Sequence, residues 1–202
     1  MFSGIVQEVA EVVFAFGGEV MTLVIHSQQL KDCKIGDSIA INGVCLTVVA
    51  LDKSQDLVSF EAVAETLRKT NLSRLRMGSL VNLELSLRLN DFVGGHMVQG
   101  HVDGIGVIKR IIHEGDAWLV AINAPKEILH YLVNKGFVTI DGMSITVIEV
   151  KNGYFTVTFI PHTIESTVVK HYQVGTSVNL EADPIGKHIY RYMEKMQSVS
   201  KN

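Results

Sequence analysis

Two histidines five residues apart sit in the glycine-rich run Gly94-Gly-His-Met-Val-Gln-Gly-His-Val-Asp-Gly104. His96 and His101, with Asp103 nearby, are types that bind metals or move protons near neutral pH. A metal site needs a further ligand, and no His-Glu-x-x-His pair is present. The glycines do not form a nucleotide loop, because no Gly-x4-Gly-Lys-Ser/Thr occurs. They suit a tight crossover with His96 in a structural role, or a backbone that a flat ligand approaches closely. A second constellation occurs twice. Asn42, Cys45 and Thr47 occupy the same relative positions as Asp141, Ser144 and Thr146. Side chains alternate along a strand, so Cys45 and Thr47 share one side, as do Ser144 and Thr146. Small polar residues near turns often bond their own backbone. Their recurrence in both halves points instead to a shared site. Cys45 reads either as a thiolate nucleophile or as a small buried hydrophobe. No triad spacing is present, so hydrolysis is not indicated.

The elements that carry these residues form an internal repeat. Ile39-Ala-Ile-Asn-Gly-Val-Cys-Leu-Thr-Val48 aligns with Val138-Thr-Ile-Asp-Gly-Met-Ser-Ile-Thr-Val147. Thr66-x3-Thr70 aligns with Thr163-x3-Thr167, and Gly78-x2-Val-Asn-Leu-Glu84 with Gly175-x2-Val-Asn-Leu-Glu181. Gly4-Ile-Val-Gln7 aligns with Gly100-His-Val-Asp103. Four blocks in one order imply a duplicated domain, with a boundary near residues 93–99. Short runs rich in Val, Ile, Leu and Thr predict strands at 20–25, 38–41, 45–51, 57–62 and 80–87. The second half repeats them at 118–122, 137–140, 144–150, 154–160 and 177–181. Asn42-Gly43 and Asp141-Gly142 read as hairpin turns. The pattern predicts a small closed or Greek-key barrel in each half. Helices are expected at 27–33 and 124–133, with one or two turns at 65–75 and 162–171. A last helix carries Ile185, Ile189, Tyr192, Met193 and Met196 at helical spacing. It packs on its own barrel or joins copies of the chain.

Composition bounds the partners. The chain has 202 residues, 47% of them hydrophobic and 19% charged, so either one large or two small cores can form. Its 18 Lys+Arg against 21 Asp+Glu create no basic field for nucleic acid. No apolar run reaches the roughly 18–20 residues of a membrane helix. No basic-then-apolar leader opens the chain. With only two cysteines, Cys33 and Cys45, it reads as a cytoplasmic protein with reduced thiols.

Taken together, several motifs resemble the riboflavin synthase family over about the whole chain. They are Met1-Phe-Ser-Gly-Ile-Val-Gln7, Ile41-Asn-Gly-Val-Cys-Leu-Thr-Val48, Glu65-Thr-Leu-Arg-Lys-Thr-Asn-Leu72, Gly94 to Asp103, Lys135 to Val147 and Ile160-Pro161. Ser3 stands where Thr is usual in that family. The resemblance implies a mainly β chain: two tandem homologous six-stranded Greek-key β-barrels plus a C-terminal helix. The units would be 1–97, 98–184 and an oligomerisation segment 185–202. It implies a dismutation in which one 6,7-dimethyl-8-ribityllumazine gives a four-carbon unit to another, without metal or cofactor. Three chains would assemble through their C-terminal helices, and lumazine synthase would be a candidate partner. Catalytic roles would fall on His101, Ser144, Asp141, Cys45 and Thr146, with His101 near Ser144 as the proton-transfer group. Cys45, Leu46, Thr47, Ser38 and Ala62 would line the first site, with Gly4, Ile5 and Val6 touching the ring and Phe2 covering it. Glu65, Thr66, His162, Thr163, Ile160 and Pro161 would hold the ribityl chain and ring edge. Gly100, Val102 and Ile145 would complete the lining, and Lys135 would reach a neighbouring chain. A lumazine-binding antenna protein is the rival reading. A flavin reductase barrel is weaker, since no Arg-x-Tyr-Ser/Thr motif is present.

Overall fold

The computed structural model describes residues 1–199, with side chains described to residue 196. The first half holds β1 (Glu8–Gly17), β2 (Val20–His26), β3 (Ser38–Ile41), β4 (Val44–Asp52), β5 (Leu57–Val63), α1 (Ala64–Lys69) and β6 (Leu80–Leu85). The second holds β7 (Gly104–Glu114), β8 (Ala117–Asn123), α2 (Lys126–Leu129), β9 (Phe137–Ile140), β10 (Met143–Lys151), β11 (Tyr154–Phe159), α3 (Pro161–Ser166) and β12 (Ser177–Ala182). Both halves close into antiparallel six-stranded barrels. The first runs β1-β2-β5-β4-β3-β6 and the second runs β7-β8-β11-β10-β9-β12. Each strand follows its counterpart in the other half, as the repeat requires.

Pattern alone gave five strands per half. The sixth, β1 and β7, was hidden because each buries only two residues, Ala10 and Val12 in one and Gly106 and Ile108 in the other, too few to show a period. The register shifts between Val12 and Phe14, and again between Ile108 and Arg110. Elsewhere alternation fixes which face is buried. Leu23, Ile25, Ile41, Val48, Phe60 and Leu83 fill the first barrel, and Val120, Ile140, Val147, Phe155, Val157 and Leu180 the second. Both interiors are packed solid with side chains, so any ligand must sit on an outer face or rim.

The expected helices are shorter than periodicity suggested. Residues 27–33 form only a 3-10 turn at Gln29–Asp32, and 124–133 form only α2. The segments 65–75 and 162–171 each break at a threonine. Thr70 and Thr167 are extended, and their hydroxyls donate to the carbonyls of Thr66 (2.7 Å) and Thr163 (2.6 Å). Each also accepts the amide two residues on, capping a following 3-10 turn. The repeated Thr-x3-Thr motif is therefore a helix terminator.

The barrels meet about a pseudo-twofold axis between the Asn42-Gly43 and Asp141-Gly142 turns. A Cβ on Gly43 would lie 2.6 Å from Gly142 N, and one on Gly142 2.9 Å from Gly43 N, so only glycine permits this approach. Asn82 Nδ2 donates to Asp141 O and Asn179 Nδ2 donates to Asn42 O, both at 2.8 Å. The repeated Val-Asn-Leu-Glu motif thus supplies the interface.

The chain then exchanges its straps. Val6, ahead of the first barrel, packs on the core of the second, whereas Val102, ahead of the second, packs on the core of the first. Ser144 N–H donates to Gly4 O (2.8 Å), and Cys45 N–H donates to Gly100 O (2.9 Å). Glu84 anchors one strap by accepting Ser3 N, Ser3 Oγ and Gly4 N; Glu181 anchors the other by accepting Gln99 N, Gly100 N and His101 N.

Last comes α4 (Pro184–Val199). Its Tyr190 meets His130 and Tyr131 of the second barrel at ring separations of 5.8 and 5.3 Å. Ile185, Ile189, Tyr192, Met193 and Met196 are all more than half exposed. One face of the helix docks on its own barrel while the apolar stripe stays bare. Residues 200–202 of the expected terminal segment lie outside the described residues.

Candidate active site

The start of β4 and the strap after His96 together wall a cavity of about 390 Å³ on the outer face of the first barrel. It is lined by Val44, Cys45, Glu65, Thr66, Lys69, Thr70, Gly100, His101, Val102 and Asp103. Six expected site residues, Cys45, Glu65, Thr66, Gly100, His101 and Val102, therefore converge. They come from both halves of the sequence because of the strap exchange. Thr47 is exposed on the same face as Cys45, paired across the ladder with Ser38. A larger cavity of about 670 Å³ lies under the linker. It contains neither of the repeated polar pairs, so the smaller one is the better candidate.

On the second barrel, Ser144 occupies the place of Cys45, with Thr146 exposed beside it. Ile5 and Val6 stand in the strap where His101 and Val102 stand in the other. Ile160 and Pro161 open α3, and His162 and Thr163 take the positions of Glu65 and Thr66. The expected imidazole beside Ser144 was His101; the residue found there is His96. Its Nδ1 lies 2.6 Å from Ser144 Oγ and its Nε2 3.3 Å from Thr139 Oγ1. The ring stacks on Phe137 at 5.1 Å. Burial pushes the His96 pKa down, with Asp183 pulling weakly the other way. A neutral imidazole against a serine hydroxyl can relay a proton. The local reason is Gly95. A Cβ there would sit 2.2 Å from Ser3 O and 2.6 Å from Ser144 Cβ, so glycine alone lets His96 approach. In the sequence His96 was weighed with His101 as a metal or proton-moving residue and otherwise given a structural role, and only His101 was given proton transfer; the Gly-Gly preceding His96 was the available signal.

Several expectations are corrected. Phe2 is fully buried against Ala40 and Val98, bridged to Val98, and covers no open site. Leu46, Ala62 and Ile145 point into the barrel cores, because alternation sends the outer face to Cys45, Thr47, Ser144 and Thr146. Their side chains cannot line a site. Asp141 is also withdrawn from the reacting centre. Its carboxylate accepts Asn179 N (2.7 Å), Asn71 Nδ2 (3.0 Å) and Tyr172 OH (2.6 Å) inside the inter-barrel interface. Burial pushes its pKa up to about 6, against those three donors. His96, His101 and Asp103 do not converge as a metal set: His96 serves Ser144, His101 faces the other barrel, and Asp103 meets Lys187.

Lys135 stands at an exposed turn with φ +67°, where its repeat partner Gly36 has φ +94°, a backbone region that glycine prefers.

A model of the lumazine binding domain matches residues 3–86 and 99–183. Riboflavin synthase of Bacillus subtilis (strain 168) is 40% identical over 197 residues, spanning 96% of this chain and 91% of that protein. Riboflavin synthase of Mycobacterium tuberculosis (strain H37Rv) is 41% identical over 201 residues, spanning 96% and 98%. Among solved structures, LumP complexed with riboflavin superposes with a TM-score of 0.83 at 24% identity, covering 90% of this chain and 99% of that one. LumP complexed with 6,7-dimethyl-8-(1'-D-ribityl) lumazine gives 0.81 at the same identity and coverage.

Proposed function

The chain belongs to the lumazine-binding domain family and, within it, to the riboflavin synthases, and from that premise we propose how its two outer-face sites divide the reaction. Two molecules of 6,7-dimethyl-8-ribityllumazine give riboflavin and 5-amino-6-ribitylamino-pyrimidinedione. One lumazine lies in the Cys45–His101 cavity and the other against Ser144 and His96. Glu65 and Thr66, with their counterparts His162 and Thr163, hold the ribityl chains. The C7 methyl of one lumazine must lose a proton, and the carbanion is delocalised into the ring. Donors placed where that charge develops lower the barrier. His101 and the Ser144–His96 pair are the groups on hand to take and return the proton.

The observation that carries this reading is the separation of the sites. No residue of the Ser144 cluster lines the Cys45–His101 cavity. Four-carbon transfer needs the two rings in contact. A second chain must therefore bring a Ser144 site to a Cys45 site. The bare stripe of α4 supports contact between chains, and we read the assembly as a cytoplasmic homotrimer in which neighbouring chains complete each centre, with Lys135 reaching across and lumazine synthase as a candidate associate. No described helix is long and apolar enough to cross a membrane.

The test is turnover of purified protein with 6,7-dimethyl-8-ribityllumazine alone, in EDTA, across protein concentration. One riboflavin per two lumazines consumed, with specific activity rising as chains assemble, is the expected result. Tight binding without riboflavin overturns the catalytic assignment. Full activity in an isolated monomer overturns the shared centre.

A further inference from the structure

The two halves differ at one point where symmetry would have been simplest. In the first, Gln7 Oε1 accepts Leu85 N–H at 2.8 Å. In the second, the corresponding bond is Ala182 N–H to Asp103 Oδ2, also 2.8 Å. A neutral amide has become a carboxylate. That carboxylate is met by Lys187 of α4, whose Nζ lies 3.0 and 2.9 Å from Asp103 Oδ1 and Oδ2. Both side chains are mostly shielded, 22% and 23% exposed. The same ammonium draws Glu181 back toward its ordinary range against burial, after the bond from Gln99 N–H. In the first half, Glu84, Gln7 and Leu85 instead line the open 670 Å³ cavity, to which α4 contributes no lining residue among those described. Asp103 is also a wall of the candidate site, two residues from His101.

We propose that Lys187 is a positioning residue: it makes α4 a strut that holds the Gly100–Asp103 strap, and with it His101, against the first barrel's cavity. The coupling serves one of the two sites only. The Ser144 site is walled by the Gly4–Val6 strap, where Gln7 replaces the acid and no cation takes part. The helix that carries the assembly stripe thus sets the geometry of one half-reaction. This rests on the reading of that cavity as a substrate site, and the experiment keeps the two apart.

Hydrogen exchange in the ligand-free protein contains its own control, because the straps at 3–7 and 99–103 are equivalent by repeat. In Lys187→Gln, amides of residues 99–103 are expected to exchange about tenfold faster, with 3–7 unchanged. Turnover is expected to fall about tenfold in kcat with KM little altered, since Cys45, Glu65 and Thr66 stay in place. Lys187→Arg is expected to restore both. Unchanged exchange at 99–103, or equal acceleration in both straps, overturns the strut. Faster exchange at 99–103 with parental kinetics upholds the strut and overturns the assignment of that cavity to substrate. Should Lys187→Gln fail to fold, Asp103→Asn keeps the acceptor for Ala182 N–H, copies the neutral arrangement of Gln7, and is held to the same outcomes.

Discussion

At the scale of single residues, the two sites are unequal copies. Cys45 has no imidazole shown bonded to it, whereas Ser144 has His96 at 2.6 Å. Ser144→Ala is expected to lower kcat about 100-fold, and Cys45→Ala by less than about tenfold. A Cys45→Ala enzyme slower than Ser144→Ala in steady-state assays would reverse that ranking. Asp141 belongs to stability rather than turnover. Burial raises its folded pKa to about 6, above the ordinary aspartate value of 3.8. The folded state therefore binds the proton more tightly, and this group's stabilisation is full below about pH 4 and lost as pH rises through about 6. Asp141→Asn, which copies Asn42, is expected to remove this share of the slope. It should gain on the order of 1–3 kcal/mol relative to the parent at pH 7. Urea melts at pH 4, 5, 6 and 7 would show it; Glu84 and Glu181, also raised by burial, leave a residual slope of the same sign. An unchanged difference between variant and parent across that range would contradict the assignment.

At the scale of elements, ten strands were legible because alternation and Asn-Gly or Asp-Gly turns are local signals. Two were not, because β1 buries only Ala10 and Val12 and β7 only Gly106 and Ile108, too short a run of alternation to read. The Thr-x3-Thr motif was seen as a repeat, but its work as a terminator needs the back-bond to Thr66 or Thr163, which no period reveals. The same division holds for the sites. Cys45, Thr47, Ser144 and Thr146 could be placed on one face from strand geometry. The partner imidazole could not, because which strap reaches which barrel is a tertiary fact. Gly95 is the element on which that contact turns. Gly95→Ala must displace Ser3 O or Ser144, costing roughly 2 kcal/mol and most of the turnover. Gly18→Ala, whose Cβ meets nothing within 4 Å, is the control and should change neither. Thermal melts and assays of the two variants check it.

At the scale of the whole molecule, the proposed reading gives each chain two half-centres that a neighbouring chain must complete. A stop after Asp183 removes α4, together with Lys187 and the stripe. The truncated chain is expected to sediment as a monomer, to bind 6,7-dimethyl-8-ribityllumazine still, and to lose nearly all turnover. Ile189→Asp tests the stripe alone, since Ile189 is exposed and the Lys187 contact is untouched. It should dissociate the assembly while leaving exchange at residues 99–103 near parental in the monomer. Retained assembly in both variants would place the contact elsewhere.

The exchange of straps also has a bearing on how the chain is made. Gly4 leaves the ribosome among the first residues, yet the amide that seats on it belongs to Ser144. At roughly 5–20 residues per second, that partner emerges roughly 7–28 s later. Once β6 has emerged the first barrel can close as a sheet, but until Ser144 follows it carries a loose leading segment. Its Cys45 edge is uncovered too, until Gly100 follows. Two neighbouring nascent chains on one message therefore hold complementary unfinished surfaces at high local concentration, and each can accept the other's leading segment in place of its own second half. Close spacing of ribosomes on the message should favour such interlocked pairs, and slowing elongation across the linker would favour them further, because it prolongs the period in which the wrong partner is available.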